Sequence, residues 1–360
     1  MNLKKEDTKR LQGIAILMML GLHLFNRIDY ESYYTLHLYI GNMPLLTCVS
    51  YIFDACLPIY LFCSGYGLYT KWSNNTGTDK ENIWMVAKLL IRFWIILSLT
   101  CIIGFGLGMR EQYPGSFLEF LLNAFLLKNS YVGSFWFMQT YVVLVFFSKY
   151  IFQYMRTHNT IGIIMISLII YVISFLAEYR MLVLFSSGCL YSLVHSVILV
   201  SRSQFSFVIG AMFAKSGSIY ESRLIKHILN SKLAVWTIAI ITVALRGMVF
   251  RHVVYSPFSA ILLIILFCKY NWCPYISKLL LFFGRESTNM WLVHMQFYML
   301  FTPNLVFGSR NIFVIYLTLV GLSIGASYII KLLYHPIESK IELRLNNRNQ
   351  LTVQSTIENQ

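Results

Sequence analysis

The sequence predicts an all-α, polytopic membrane bundle of about ten transmembrane helices with both termini in the cytoplasm. Three observations carry this. Only 12% of the 360 residues are charged and 57% are hydrophobic, whereas a soluble domain carries roughly 25% charge. Apolar runs recur along the whole chain, many near the roughly 20 residues a span requires. The basic residues gather at the ends of those runs, as the positive-inside bias demands. That bias also accounts for the formal charge of +14, from 29 Lys+Arg against 15 Asp+Glu. In a soluble protein such a charge would suggest nucleic acid. Here it implies a lipid bilayer and no nucleic-acid partner.

The N-terminus carries Lys4, Lys5, Lys9 and Arg10, then an apolar run to Phe25. No small-residue cleavage site follows, so the run reads as a retained first span rather than a signal peptide. Further spans are expected at 49–70, 88–108, 132–152, 160–177, 203–215, 233–250, 256–270, 287–302 and 311–333. Two more apolar stretches, 117–127 and 181–199, complicate the count, and one of them is expected to be re-entrant or interfacial. Ten crossings place Lys71, Lys80, Lys149, Arg156, Lys215, Arg223, Lys226, Lys232, Lys278 and Arg285 inside, with Lys340, Arg344 and Arg348 of the tail. Residues 1–345 read as one membrane domain and 346–360 as a polar, disordered tail. The Tyr-rich segment 28–48 is the longest candidate outer loop; its rings could contact a sugar or form an interfacial belt. The seven cysteines, Cys48, Cys56, Cys63, Cys101, Cys189, Cys268 and Cys273, show no CxxC or metal-ligand spacing. They read as small hydrophobes, and no metal site is expected.

Ionisable groups inside apolar segments are costly and point to function. His23 lies near the outer end of the first span, where a neutral imidazole could act as a general base or simply hydrogen-bond a carbonyl. Gln12 precedes it by eleven residues, three turns plus about 20°, and shares its face. Lys9 falls within about 40° of that face and Arg10 about 140° away, so Lys9 is the better cation beneath His23. Lys88 and Arg92, four apart, share a face at the cytoplasmic start of the third span. They could clamp a phosphate or merely snorkel. Ser287 and His294, seven apart, lie on one helix face, with Gly284-Arg285-Glu286-Ser287 read as the turn entering that helix.

The run from Leu11 to His23, Leu-Gln-Gly-Ile followed by apolar residues and His, resembles the first helix of the acyltransferase-3 family of bacterial membrane acyltransferases. Pro58 to Tyr69, with its Ser64-Gly65-Tyr66-Gly67, is similar to the family's second motif. Phe135-Trp136-Phe137-Met138 resembles its Trp-Phe-Leu element, Ser287 to His294 its late Ser-to-His motif, and Tyr334 to Glu338 its closing acidic element. The motifs fall in the family's order over about 8–340. There are departures: the family's Arg is Gln12 here, Gln139-Thr140 replaces an acidic position, and Pro58 another, with Asp54 one turn earlier.

The resemblance implies transfer of an acyl group, acetyl for preference, from acetyl-CoA to a hydroxyl of a cell-surface polysaccharide or lipid-linked glycan. By that resemblance His23 is the catalytic base, with His294 as a second catalytic imidazole. Lys9, Gln12, Lys88 and Arg92 approach the acyl-CoA, and Ser64, Trp136 and Ser287 lie beside the substrates. Ser64, Gln12 or His294 would hold the oxyanion. The competing reading is a flippase or transporter of lipid-linked oligosaccharide, a class that often shows internal repeats; none is evident here.

Overall fold

The computed structural model describes residues 3–27, 29–74, 76, 79–184, 189–216, 231–270 and 272–358. Thirteen helices are seen among them: α1 (Lys5–Phe25), α2 (Leu45–Ser50), α3 (Cys56–Ser73), α4 (Asp79–Gly106), α5 (Phe117–Ala124), α6 (Trp136–Thr157), α7 (Thr160–Leu184), α8 (Cys189–Ser216), α9 (Lys232–Met248), α10 (Ser256–Lys269), α11 (Pro274–Met295), α12 (Pro303–Phe307) and α13 (Ile312–Glu358). The only strands described are a two-residue antiparallel pair, Tyr39–Ile40 and Met43–Pro44, in register Tyr39 to Pro44. Six helical stretches are long and apolar enough to cross a membrane: Leu45–Ser73, Asp79–Gly106, Gly133–Thr157, Thr160–Met181, Leu190–Ser216 and Ile312–Ile341. The shorter or more polar α1, α9, α10 and α11 complete the bundle. Side chains such as Ile161, Leu176, Phe147 and Leu332 stand bare on its outside, as a lipid-facing surface requires. An all-helical polytopic fold follows from the same constraint, since lipid offers the backbone no hydrogen bonds.

The helix boundaries sharpen one expectation, at 117–127, and change three others. The stretches at 181–199 and 203–215 are not separate elements, because α8 runs unbroken over 28 residues. The polar Ser201-Arg202-Ser203 interrupts hydropathy there but contains no helix breaker, and Arg202 pairs with Glu178 of α7. The 117–127 stretch forms only the eight-residue α5, capped by Ser116 accepting from the Glu119 amide; at about 12 Å it cannot span. Gly284 to Ser287 is no turn but mid-helix in α11. Last, α13 continues past 345 to Glu358, since extending a formed helix costs no new nucleus. Arg223 and Lys226, and the side chains of Cys189, Lys232, Arg344 and Arg348, lie outside the described residues.

Two backbone contacts without intervening side chains set the packing. A Cβ on Gly13 would lie 2.0 Å from the Leu280 carbonyl oxygen, and one on Gly284 would lie 1.9 Å from that of Lys9. Thus α1 and α11 touch backbone to backbone. Gly65 of α3 and Gly210 of α8 meet likewise, at 1.9 Å from the Phe207 oxygen and 2.1 Å from that of Phe62. Small residues permit such contacts in membranes, where packing rather than the hydrophobic effect drives association. Elsewhere charges are paired: Arg246 of α9 binds Asp54 ahead of α3 and donates to the Tyr51 and His252 carbonyls at 2.9 and 3.0 Å. On α11, Glu286 binds Lys331 and Ser327 of α13.

Overfilling a packed contact costs about 1–3 kcal/mol, and the Gly13–Gly284 neighbours are backbone atoms that cannot rotate away. Gly284→Val is therefore expected to lower the thermal unfolding midpoint of the detergent-purified protein by several degrees. An unchanged midpoint would contradict the contact.

Candidate active site

The basic end of the bundle opens into a cavity of about 520 Å³ between α1, α3, α4, α6 and α11. Lys9 and Gln12 line it from α1, Ser64 from α3, Lys88 and Arg92 from α4, and Ser287 from α11. Six of the nine sequence-predicted site residues thus share one chamber. Each belongs to a helix whose polar side is turned inward and whose apolar side packs or meets lipid. The choice between Lys9 and Arg10 falls as the helix geometry requires: Lys9 faces the chamber, while Arg10 turns away to Asp7 and Ser277 at 2.6 and 2.9 Å.

The cations are fixed by partners. Lys88 Nζ pairs with Glu338 at 2.9 Å and lies 5.2 Å from the Trp84 ring. The Arg92 guanidinium sits 4.3 Å over the Tyr334 ring, and its Nε is buried with no hydrogen-bond partner. The closing acidic segment of the sequence therefore orders the cations at the cavity mouth. Ser64 Oγ donates to the Tyr60 carbonyl at 2.9 Å and Ser287 Oγ to that of Gly284 at 3.0 Å. Both hydroxyl protons are thus engaged within their own helices.

His23 and His294 come together beyond the chamber's inner end, their ring centroids 5.0 Å apart. Tyr298 lies 6.1 Å from each. His294 Nδ1 donates to the Trp291 carbonyl at 2.7 Å. This fixes its neutral tautomer and leaves Nε2, buried and unpartnered, with a bare lone pair. The chamber reaches Met19 and Trp291, each about one turn short of a histidine. Helix rise puts Gln12 about 16 Å below His23, and Ser287 about 10 Å below His294. Gln12, Ser64 and Ser287 line the chamber, and of the expected oxyanion donors His294 stands beside His23. Trp136 is outside the chamber. The lining residue of that motif is Phe137, whose ring lies edge-on to Trp136 at 5.9 Å.

On the far side the Tyr-rich segment forms a rim. Arg27 stacks 4.0 Å over Tyr33, and Tyr33 packs on Phe307 at 4.5 Å. Arg27 also binds Asp29 at 2.9 and 3.0 Å; these bonds hold the Asp29 carboxyl below its usual range. Arg27 lies near Tyr298 as well.

Several residues escaped sequence reasoning. Tyr60 and Tyr141 bring hydroxyls to the chamber, but among 24 tyrosines nothing singled them out. Trp84 and Tyr298 carried a usable signal, each one turn from a chosen residue, at i−4 from Lys88 and i+4 from His294. Tyr298 stands in a π-helical stretch, Gln296–Phe301, an irregularity frequent at functional sites.

A membrane bundle with a cation-lined chamber leading toward paired imidazoles has the layout of a membrane enzyme. Residues 10–332 match the acyltransferase-3 family model, described as an acyltransferase domain, and the chain belongs to that family. It is a membrane acyltransferase, working in a bilayer on an acceptor substrate. Comparisons with curated proteins and with solved structures returned no match.

Met19, between Gln12 and His23 on α1, lines the inner end of the chamber, on the path of a donor that threads it. Met19→Trp is expected to lower acyl-transfer turnover at least tenfold in protein that still purifies as a monodisperse species. Unaltered turnover would exclude this path.

Proposed function

We propose that this protein transfers an acetyl group from acetyl-CoA to a hydroxyl of a cell-surface polysaccharide or lipid-linked sugar at a bacterial cytoplasmic membrane. The observation that carries this reading is the single chamber running from Lys9, Lys88 and Arg92 to within a turn of the His23–His294 pair. Cations at the mouth suit the phosphates of CoA. Trp84 offers a ring beside them, and the tyrosine-lined interior suits the mixed polarity of a pantetheine arm. The inner end, lined by the bulky side chains of Met19, Phe137 and Trp291, suits a short acyl group. The acceptor approaches from the opposite side, over the Arg27–Tyr33–Phe307 rim.

At the centre, His23 removes the proton of the acceptor hydroxyl. The oxygen attacks the thioester carbonyl, the tetrahedral intermediate expels the CoA thiolate, and the proton passes from His23 to that sulfur. His294 presents its bare Nε2 beside the His23 imidazolium and stabilises it. Tyr298, whose ring lies 6.1 Å from both histidines, donates its hydroxyl proton to the oxyanion, a large effect in a buried site.

A general base contributes about 10²–10⁴-fold. His23→Ala should therefore lower kcat for polymer acetylation by at least 100-fold at normal protein levels, with little change in KM for acetyl-CoA; normal acetylation would refute the assignment. Lys88→Met and Arg92→Met should each raise that KM at least tenfold, as expected for loss of a charged hydrogen bond worth about 1.5–3 kcal/mol, and largely spare kcat. An unchanged KM would remove their role.

A further inference from the structure

A second pair of cavities lies on the opposite face of α1. One, of about 250 Å³, is lined almost wholly by carbon: Leu11, Ile14 and Met18 of α1, Ala239 and Val243 of α9, and Leu266 of α10. It exists because α9 packs on α2, on the 3₁₀ segment before α3 and on α10. The Val235–Leu266 contact is a small hydrophobic cluster separate from the main core. The other cavity, about 270 Å³, adjoins it at the basic end and is polar, lined by Asp7, Arg10 and Cys268. Phe267, Tyr270 and Trp272 belong to both. These rings and Trp236 form a collar between the two, with Trp236–Tyr270 at 5.6 Å, Tyr270–Trp272 at 4.9 Å and Phe267–Trp272 at 4.8 Å. Trp272 is held in place by its Nε1 donating to the Phe267 carbonyl at 2.9 Å. Aromatic collars of this kind mark the boundary between hydrocarbon and headgroups.

We infer that this continuous groove is a binding site for an anionic glycerophospholipid of the leaflet at the basic end, with one acyl chain between α1, α9 and α10 and the phosphate at Arg10. Charge complementarity selects the headgroup. Asp7 takes one Arg10 nitrogen and Ser277 another, at 2.6 and 2.9 Å, while Arg10 Nε is buried and has no partner. Lys269 of α10 lies, like Arg10 and Asp7, within electrostatic range of Cys268 in the cavity wall, so two cations act there against one carboxylate. The dry groove selects the chain, each buried methylene contributing about fourfold in affinity. The site is separate from the chamber, since Arg10 and Lys9 leave α1 on different sides.

The test is native mass spectrometry of the full chain in neutral detergent, titrated with dioleoyl phosphatidylglycerol and with dioleoyl phosphatidylcholine. One tightly held phosphatidylglycerol is expected, bound at least tenfold more strongly than phosphatidylcholine. Equal retention of the two lipids by the unmodified protein would overturn the inference. So would glycerol phosphate binding as strongly as the intact lipid, which would reveal a site for free phosphate. Arg10→Gln should abolish the headgroup preference, and Ala239→Phe, which narrows the groove without touching the cation, should weaken phosphatidylglycerol at least fourfold. Wild-type behaviour in both variants would place the lipid elsewhere.

Discussion

The His23–His294 pair depends on one contact, the meeting of α1 and α11 at Gly13 and Gly284. Each glycine lies ten residues before a histidine, His23 on one helix and His294 on the other. The two helices run parallel, so the register set where backbones touch carries upward about 15 Å on both and brings the imidazoles within 5.0 Å. A side chain at either glycine would force the helices apart at the base and change that separation at the top. The contact also leaves the polar faces of α1 and α11 on one side, where α3, α4 and α6 complete the chamber wall.

A bilayer makes this arrangement both necessary and costly. Polar groups in the bundle must find partners inside it. Several do: Glu286 with Lys331 and Ser327, Asp54 with Arg246, Glu178 with Arg202, and Ser64 and Ser287 with their own helix carbonyls. Other atoms stay unpartnered, including Nε of Arg202 and Arg246 and Oδ1 of Asp54 in those same pairs. His294 Nε2 and Arg92 Nε are buried without a hydrogen-bond partner. One adjoins the imidazole pair and the other belongs to a residue at the chamber mouth, the two places where the proposed reaction requires a proton acceptor and an anion-binding donor. Arg10 Nε, also unpartnered, lies at the groove on the other face of α1.

The membrane fold was legible because its cause is compositional: too few charges and recurring apolar runs permit little else. The grouping of Lys9, Gln12, Lys88, Arg92, Ser64 and Ser287 was legible from helical periodicity and from motif order. Periodicity works here because the helices are regular and each shows one polar face. It failed where the cause was tertiary. Gly284 reads as a turn residue in a sequence and proves to be a packing residue, since only the partner helix reveals why a Cβ is forbidden. Serines that look like oxyanion donors are engaged in their own helices. Motif resemblance pointed to Trp136, but neighbouring Phe137 lines the chamber. The break expected near 200 reflected a drop in hydropathy at Arg202, which an interhelical ion pair absorbs.

The chamber and the aromatic rim open toward opposite ends of the bundle, so donor and acceptor should be usable from opposite sides of the membrane. Proteoliposomes of uniform orientation test this directly. Radiolabelled acetyl-CoA is supplied only at the face carrying Lys9 and Lys88, and a polymeric or lipid-linked sugar acceptor only at the face carrying Arg27 and Tyr33. The proposed reaction predicts acetylated acceptor on the far side and an equal amount of free CoA on the donor side, with neither when the two substrates are exchanged. Acetylation only when both substrates share one face would contradict a reaction centred on the His23–His294 pair between them.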